Sequence, residues 1–244
     1  VNGNASSNTY VAWCWKAGTS FTPTVTGFTN PSASINTEAG FGIYKFTGNN
    51  TASSFTHGLD STPELIIAKS LDISSDWAVF GPTGSSKTPT PTDTFERLNE
   101  TTDNNKNGTQ ILTGNTGGTV SVASFGETAS SSDYIYYLWH SVEGFSKIGL
   151  YTGNGDNDGP FVYTGFKPAF LLIKRKGGTA NWHLVDAARD PYNPTYQWLE
   201  ANEGAQEQNN ATAHYLDFLS NGFKPRGTGN QINTSDTYLY MAFA

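Results

Sequence analysis

The sequence has little cysteine, few charged residues and no long apolar run. Its single cysteine, Cys14, excludes an internal disulfide framework and any zinc site built from several cysteines. Only 14% of the 244 residues are charged, whereas about 25% are charged in a typical soluble domain. No apolar run approaches the roughly 18 residues that a membrane-spanning helix requires, so we expect no insertion into a membrane.

The charged residues are mainly acidic. Fourteen Lys and Arg residues against 21 Asp and Glu residues give a formal net charge of −7 at pH 7. A protein that binds nucleic acid needs a basic face that neutralises phosphates. The sequence therefore predicts that nucleic acid is not a partner.

Aromatic residues and glycines are abundant instead. Aromatics make up 14% of the chain, and 26 of its residues are glycine. Together with frequent Thr, Ser and Asn, this composition is typical of short strands joined by tight turns. A length of 244 residues is enough for one large domain or two small ones with a buried core.

A repeated aromatic segment organises the chain. It occurs without a gap as Thr-Tyr-Val-Ala-Trp-Cys-Trp at residues 9–15, as Asp-Tyr-Ile-Tyr-Tyr-Leu-Trp at 133–139 and as Thr-Tyr-Leu-Tyr-Met-Ala-Phe at 237–243. After the first residue, every position of each copy is apolar or aromatic. This pattern predicts a strand that is buried on both faces rather than an edge strand.

A second set of matches relates two longer stretches. A Gly-Phe pair at residue 40 recurs at residue 144, and Thr-Gly-Asn at residue 47 recurs at residue 152. Pro63 and Trp77 are separated by 14 positions, and so are Pro168 and Trp182. Equal spacing of the same residue types indicates two related units of the chain.

The repeats predict the domain organisation. We expect one β-sandwich repeat at residues 39–140 and a second at 141–244. In the preceding residues 1–38, the first 18 are similar to the last strand of a preceding unit, or to a strand that completes a neighbour. Residues 19–38, rich in Thr, Pro and Ser, are expected to be a connector.

The fold class that follows is all-β, with two tandem antiparallel β-sandwich modules of jelly-roll type. Alternating helices, which an α/β fold would require, are absent from the pattern. Exposed loops are expected at 81–94 and 99–118. The predicted strands are residues 42–46, 64–69, 77–80, 110–113, 120–125, 134–139, 146–151, 161–163, 170–174, 182–185, 215–219 and 238–243.

These same residues carry a family resemblance that covers nearly the whole chain. The relevant segments are 134–155, 161–168, 217–224 and 238–244 in the second half, and 15–18, 39–41, 57–59 and 63–67 in the first. With them the chain resembles a repeated module of structural proteins from marine tailed phages, a family similar to concanavalin-like and laminin-G-like sandwiches. The resemblance weakens around residues 81–118, where the loops of the two units differ.

The resemblance implies a non-enzymatic protein of the virion: a tail fibre, an appendage or a capsid decoration. Its partners would be other virion subunits, most simply copies of itself, and a polysaccharide on the host surface. The motif residues of such modules are structural, so no catalytic residue carries over to this chain. Two alternatives stay open: a polysaccharide depolymerase on the same sandwich, and a purely architectural subunit-contact protein.

One loop has a pattern that suggests a cation. Asn154, Asp156 and Asp158 place oxygen-bearing side chains at alternate positions before a glycine, and Ca²⁺ requires several oxygens that converge from a tight loop. An EF-hand would need an acid at position 165, which is a glycine, and helices on both sides. The alternative is a hairpin turn built from turn-forming residues. Apart from this calcium candidate, the sequence indicates no cofactor.

An aromatic loop is the predicted glycan-binding patch. Tyr192, Tyr196 and Trp198 lie in a loop-like stretch with two prolines. Flat rings stack on the apolar faces of pyranoses, so an exposed group of them can bind sugar. The alternative is that these rings cover the end of the sandwich or pack on another subunit. The other tryptophans lie in repeated strands and are expected in the core.

A hydrolytic site would require paired carboxylates across a cleft. The densest acidic stretch contains Asp186, Asp190 and Glu200, with Arg189 among them, but no strand carries the carboxylate run that is typical of sandwich glucanases. We therefore favour a solvated loop with an Arg–Asp pair. The four histidines, His57, His140, His183 and His214, are expected to be structural.

Overall fold

The computed structural model describes residues 9–84, 86–90, 95–102, 111–123, 131–209 and 211–244. These residues form strands and no helix, so none of their elements is a helix long and apolar enough to cross a membrane. The strands are β1 (Thr19–Phe21), β2 (Val25–Thr26), β3 (Thr29–Asn36), β4 (Phe41–Thr47), β5 (Ser53–Thr56), β6 (Leu65–Ser70), β7 (Ala78–Phe80), β8 (Glu96–Arg97), β9 (Leu112–Asn115), β10 (Thr119–Val122), β11 (Asp133–Trp139), β12 (Ser146–Thr152), β13 (Val162–Tyr163), β14 (Phe170–Arg175), β15 (His183–Asp186), β16 (Gln197–Glu200), β17 (Gln208–Asn209), β18 (Leu216–Leu219), β19 (Gly222–Pro225) and β20 (Thr237–Phe243).

The strands make four antiparallel sheets. The first module consists of a seven-stranded sheet in the order β1-β3-β4-β11-β6-β7-β8 and a four-stranded sheet in the order β2-β5-β10-β9. The second module consists of a six-stranded sheet in the order β12-β20-β14-β15-β16-β17 and a three-stranded sheet in the order β13-β19-β18. The prediction of an all-β fold with two tandem antiparallel sandwich modules is confirmed.

The two larger sheets share one register, which explains the sequence repeat. In the first module, Trp139 at the end of β11 lies opposite both Phe41 and Leu65. In the second module, Phe243 at the end of β20 lies opposite Ser146 and Phe170. The hairpin of β6 and β7 and the hairpin of β14 and β15 also pair at equivalent residues, so the equal Pro-to-Trp spacing is the length of this hairpin.

The central strands β11 and β20 are buried on both faces, as their aromatic pattern predicts. Tyr134 and Tyr136 of β11 point into the core between the two sheets of the first module, whereas Trp139 points to the opposite side. On β20, Tyr238 and Tyr240 likewise point into the core of the second module. The opposite faces of the two large sheets pack on each other and form a third core between the modules. The protein is therefore a stack of four sheets with three cores.

The inter-module core is reinforced by polar contacts. Trp182 of the second module donates its indole Nε1–H to the carbonyl of Arg97 at 2.8 Å. The fully buried Lys174 donates to the carbonyls of Thr101 at 3.1 Å and Ala180 at 2.8 Å. Buried polar groups are costly unless they are hydrogen-bonded, so these contacts fix how the β14–β15 hairpin lies on the first module.

The connector prediction for residues 19–38 was wrong. This stretch forms β1, β2 and β3, which add two strands to the edge of the seven-stranded sheet and one to the four-stranded sheet. Thr, Ser and Val suit strands, and edge strands with exposed side chains need no continuous apolar pattern. Pro31 lies inside β3 where the register with β4 shifts between Thr29 and Ser32, a place that tolerates proline.

Residues 9–18 have no regular secondary structure, so the strand predicted for the first aromatic copy does not form within this chain. The physical reason is that β11 already occupies the position between β4 and β6. This N-terminal arm, residues 9–18, lies instead along the inter-module core. Trp15 contacts Trp139 of the first module and Phe170 and Phe243 of the second, with ring centroids 5.5 to 6.0 Å apart.

The other predicted strands agree with the structure within a few residues, except where they leave the described part of the chain. Gln110 of the predicted strand 110–113 and residues 124–125 of the predicted strand 120–125 lie outside the described residues, as do residues 85, 91–94 and 103–110 of the expected loops. Strands β5, β8, β16, β17 and β19 were not predicted. They are short, and β16 was the one stretch with helix-like spacing.

Two tryptophans at equivalent repeat positions test the packing between modules. Trp182 is 2% exposed in the inter-module core, whereas its equivalent Trp77 is only partly buried. Trp182→Ala should lower the free energy of unfolding by about 3–5 kcal/mol, and Trp77→Ala should lower it by less. Urea unfolding of both variants measures the difference, and equal losses would contradict the asymmetric packing.

Candidate functional site

An apolar pocket lies on the face of the seven-stranded sheet that points away from the core of the first module. It has a volume of about 260 Å³. Its walls are aromatic and aliphatic side chains from β4, β6 and β11, from residues next to β7 and β8, and from the N-terminal arm. The lining residues are Trp15, Phe41, Ile43, Ile67, Trp77, Leu98, Tyr137 and Trp139. We call this feature the aromatic pocket.

The aromatic pocket lies where coverage by the second module ends. Across β4, β11 and β6, one row of side chains consists of Phe41, Trp139 and Leu65. The next row on the same face consists of Ile43, Tyr137 and Ile67. The first row is buried in the inter-module core, while Tyr137 and Ile43 are only partly buried. In the second module the residue equivalent to Tyr137 is Met241, which is buried. The same sheet face is thus closed in one repeat and open in the other.

Four rings in the aromatic pocket are nearly parallel. The ring of Tyr137 lies 6.5 Å from Trp77 at an interplanar angle of 21°, and 6.1 Å from Trp139 at 20°. Trp139 in turn stacks on Phe41 at 4.9 Å. Because β-sheet side chains on one face repeat at every second residue, a flat sheet can hold such rings in a row. This arrangement suits a flat ligand with apolar faces.

A polar rim adjoins the aromatic pocket next to Trp77 and Leu98. The carboxylate of Asp76 forms an ion pair with Arg97, with 2.7 Å between Oδ2 and Nε, and accepts a hydrogen bond from Asn99 Nδ2 at 2.9 Å. Arg97 also contacts Glu100 at 3.2 Å. The rim therefore carries carboxylate, amide and guanidinium groups next to the rings. Such convergent polar groups beside aromatic walls are the usual composition of a small-molecule site.

Two polar atoms belong to the pocket's own aromatic residues. Trp139 is 5% exposed, and its indole N–H is buried without a hydrogen-bond partner among the described residues. Burial raises the pKa of the Tyr137 hydroxyl, so this phenol stays protonated at neutral pH and is able to donate a hydrogen bond. The Tyr137 hydroxyl, which is only partly buried, is therefore the donor available at the wall of the pocket.

The predicted glycan loop is only partly exposed. Tyr192 is 80% exposed, whereas Tyr196 packs on Tyr215 with ring centroids 5.4 Å apart. Trp198 lies on β16 and is 4% exposed in the core of the second module. Its inclusion in a sugar platform is therefore corrected, because its ring faces the sandwich interior. Binding by Tyr192 and Tyr196 stays a prediction.

The loop around Tyr192 is held against the three-stranded sheet. The side chain of Asn193 donates to the carbonyl of Phe218 at 2.8 Å and accepts from its N–H at 2.9 Å. Thr195 and Leu216 exchange backbone hydrogen bonds. These contacts satisfy the outer edge of β18 and leave Tyr192 as the single large exposed ring of the loop.

The oxygens of the predicted calcium loop are used within the protein. Asn154 Oδ1 accepts from the N–H of Asp156 at 3.0 Å, and Asp156 Oδ1 accepts from the N–H of Asp158 at 2.8 Å. The carboxylate of Asp158 pairs with Lys224 at 2.7 Å and with Arg226 at 3.4 Å, and the hydrogen bond from Lys224 lowers the pKa of Asp158.

Two cations therefore already neutralise the acid that would be the strongest ligand in this loop. Within the described part of the chain, no group of three His, Cys, Asp or Glu side chains is arranged to hold a metal ion. The geometry supports the turn interpretation of Asn154, Asp156 and Asp158, since Asx side chains that bond the backbone two residues on are typical of turns.

The acids of the depolymerase alternative each form hydrogen bonds or ion pairs within the protein. Asp186 is buried, accepts from the N–H groups of Ala188 and Arg189, and pairs with Arg189 Nε at 2.6 Å. Asp190 accepts from the N–H of Tyr196 at 2.7 Å. Glu200 accepts from Gln231 at 2.8 Å. Each carboxylate thus has a structural partner, and the Arg–Asp pair expected from the sequence is present.

The histidines have structural partners of the same kind. His57 accepts from the N–H of Leu59 at Nδ1, and its Nε2 lies 3.1 Å from the carbonyl of Thr116. His183 is fully buried, and its Nδ1 lies 3.0 Å from Gln231 Oε1. Glu200 binds the amide nitrogen of Gln231, so the amide oxygen faces His183, which must donate from Nδ1.

The sequence singled out the aromatic residues of the pocket as core residues and did not predict that some of them are accessible. Trp77, Trp139 and Tyr137 were assigned to the core from their place in repeated strands. Trp139 is in the core, but Trp77 and Tyr137 are only partly covered. The repeat gives no signal for this difference, because it depends on where the second module's sheet ends.

The fold and the pocket define an all-β, two-module sandwich protein with a partly exposed aromatic pocket. The whole chain, residues 1–244, matches the family described as Domain of unknown function (DUF7483), and the chain belongs to that family. No curated protein and no solved structure matches the chain.

The buried histidine predicts how stability depends on pH. Desolvation lowers the pKa of His183 to about 3, whereas an unfolded histidine titrates near 6.5. Between these values the unfolded chain binds a proton that the folded one does not, so the free energy of unfolding should fall as the pH drops from about 6.5 toward 3. Burial also lowers the pKa values of His57 and His214, which adds to the same trend.

His183→Leu removes the titrating group while keeping an apolar side chain. The variant should be less stable at pH 7, because Gln231 loses its partner, but its stability should depend less steeply on pH than that of the natural protein. Thermal unfolding between pH 4 and pH 7 measures both slopes. An unchanged slope would contradict the assignment of this pH dependence to His183.

Proposed function

We propose that this chain is a non-enzymatic structural protein of a virion that attaches to polysaccharide on the host surface. The placement in a tail fibre, an appendage or a capsid decoration rests on the resemblance to repeated phage modules. The binding role rests on the aromatic pocket, where near-parallel rings lie beside a polar rim. This pocket is the observation that carries the proposal.

The state of the carboxylates and histidines supports a binding role over catalysis. Hydrolysis of a glycosidic bond needs two carboxyl groups placed across the bond, one of them available as an acid. Asp186, Asp190 and Glu200 each hold a backbone or side-chain partner instead. None of these three acids is among the residues that line the aromatic pocket.

A four-sheet stack is suited to display. Three cores and a buried polar junction make the scaffold rigid, and its loops and the open sheet face are the parts available to a partner. Many copies on one particle would raise the avidity of a weak single site. The proposal includes a homo-oligomer of this chain, contacts with other virion subunits and a location on the extracellular particle.

The test is a binding assay that also follows polymer length. The purified chain is immobilised at high density on beads and mixed with envelope polysaccharide from marine bacteria. Binding with unchanged polymer length is the expected result. Shortening of the polymer would overturn the non-enzymatic role, and absence of binding by folded, multivalent protein would favour the architectural alternative, in which aromatic surfaces contact other subunits.

A further inference from the structure

Resting on the proposed function, we infer that the aromatic pocket is the attachment site and that it selects a neutral polysaccharide chain, with Trp77 and Tyr137 as the stacking residues. The sequence had placed glycan binding on the loop of Tyr192 and Tyr196, at the other module. The inference moves the site to the seven-stranded sheet and names the class of glycan.

The first argument is the shape of the site. Trp77 and Tyr137 lie 6.5 Å apart with rings inclined by only 21°, and both are partly exposed. A pyranose with equatorial hydroxyls has two flat faces of C–H groups, which pack on aromatic rings through apolar contact. Tyr192 has no aromatic neighbour in contact among the described residues, and one ring alone is a weaker platform than a set.

The second argument is hydrogen bonding. Sugar hydroxyls both donate and accept, so a glycan site needs both kinds of group near the rings. The hydroxyl of Tyr137 is a donor at the wall of the pocket, and Asp76, Asn99 and Glu100 supply oxygens at the rim.

The third argument is charge. At the rim, the single cation Arg97 is already shared by Asp76 and Glu100. At the far end of the sheet face, Lys45 pairs with Asp133 at 2.7 Å, and Lys69 donates to the carbonyls of Ser70 and Ile73. The chain as a whole carries −7. Asp76, Arg97 and Glu100 together leave a net negative charge at the rim, so an anionic polysaccharide is disfavoured.

The N-terminal arm completes the pocket. Trp15 lines it and is held by ring contacts to Trp139 and Phe243. Asn36 donates to the carbonyl of Lys16 at 3.1 Å and fixes the arm beside the sheet. The pocket is therefore built from the first module and the arm, and Phe243 of the second module holds the arm in place.

The test compares two soluble probes of equal length and the same β-1,4 linkage: a cello-hexaose, which is neutral with equatorial hydroxyls, and an oligoglucuronate, which is anionic. Binding is followed by tryptophan fluorescence, since Trp15, Trp77 and Trp139 line the pocket. We expect the neutral probe to bind and the anionic probe to bind at least roughly tenfold more weakly. Equal binding of both, or preference for the anionic probe, overturns the selectivity.

Variants then locate the site. Trp77→Ala and Ile43→Trp, which respectively remove a stacking ring and fill the pocket, should each weaken binding of the neutral probe at least roughly tenfold. Tyr163→Ala, which removes a ring that is 63% exposed on the other module, is the aromatic control and should leave binding unchanged. Tyr192→Ala tests the loop that the sequence predicted. Thermal unfolding confirms that each variant is folded, and the filling variant keeps the test valid if the truncation destabilises the sheet.

The outcomes separate the site from the function. If the natural chain binds the neutral probe and only Tyr192→Ala weakens it, attachment to glycan stands and the assignment to the aromatic pocket is overturned. If the natural chain binds neither the probes nor envelope polysaccharide, the proposed function fails together with the inference. If Trp77→Ala instead abolishes self-association measured by light scattering, the pocket is an interface between copies.

Discussion

Everything in this structure depends on two strands that must be buried on both faces. An aromatic strand such as β11 or β20 cannot lie at a surface, because its side chains alternate between two faces and nearly all of them are apolar. Each strand therefore requires a sheet on either side. A single two-sheet sandwich covers only one face of its central strand, so the two modules cover each other, and the result is a stack of four sheets.

Mutual coverage is incomplete, and the incomplete part is the candidate site. In the second module, Met241 and Trp182 are buried. Their equivalents in the first module, Tyr137 and Trp77, are only partly buried. The two large sheets thus share a strand pattern, but only the first exposes part of its aromatic face. Positions that are buried in the second module are accessible to a ligand in the first.

The polar side chains that could take part in a reaction mainly form hydrogen bonds and ion pairs that stabilise this scaffold. The histidine–glutamine–glutamate chain from His183 to Glu200 fixes the interior of the second module, and Lys174 fixes the junction between modules. The acidic turn near Asp158 binds its own backbone and Lys224. These hydrogen bonds and ion pairs hold buried polar groups in fixed positions, which stabilises the scaffold.

The sequence by itself determined the all-β class, the long central strands and the repeat, because apolar patterns and Pro-to-Trp spacing are local properties. It also indicated that the aromatic segments need two covered faces. It did not determine that residues 9–18 form an arm rather than a strand, that residues 19–36 extend two sheets, or that Trp198 is buried while Tyr137 is accessible. Those outcomes depend on which position in a sheet is already occupied and on where one module stops covering the other, and only the tertiary structure decides these.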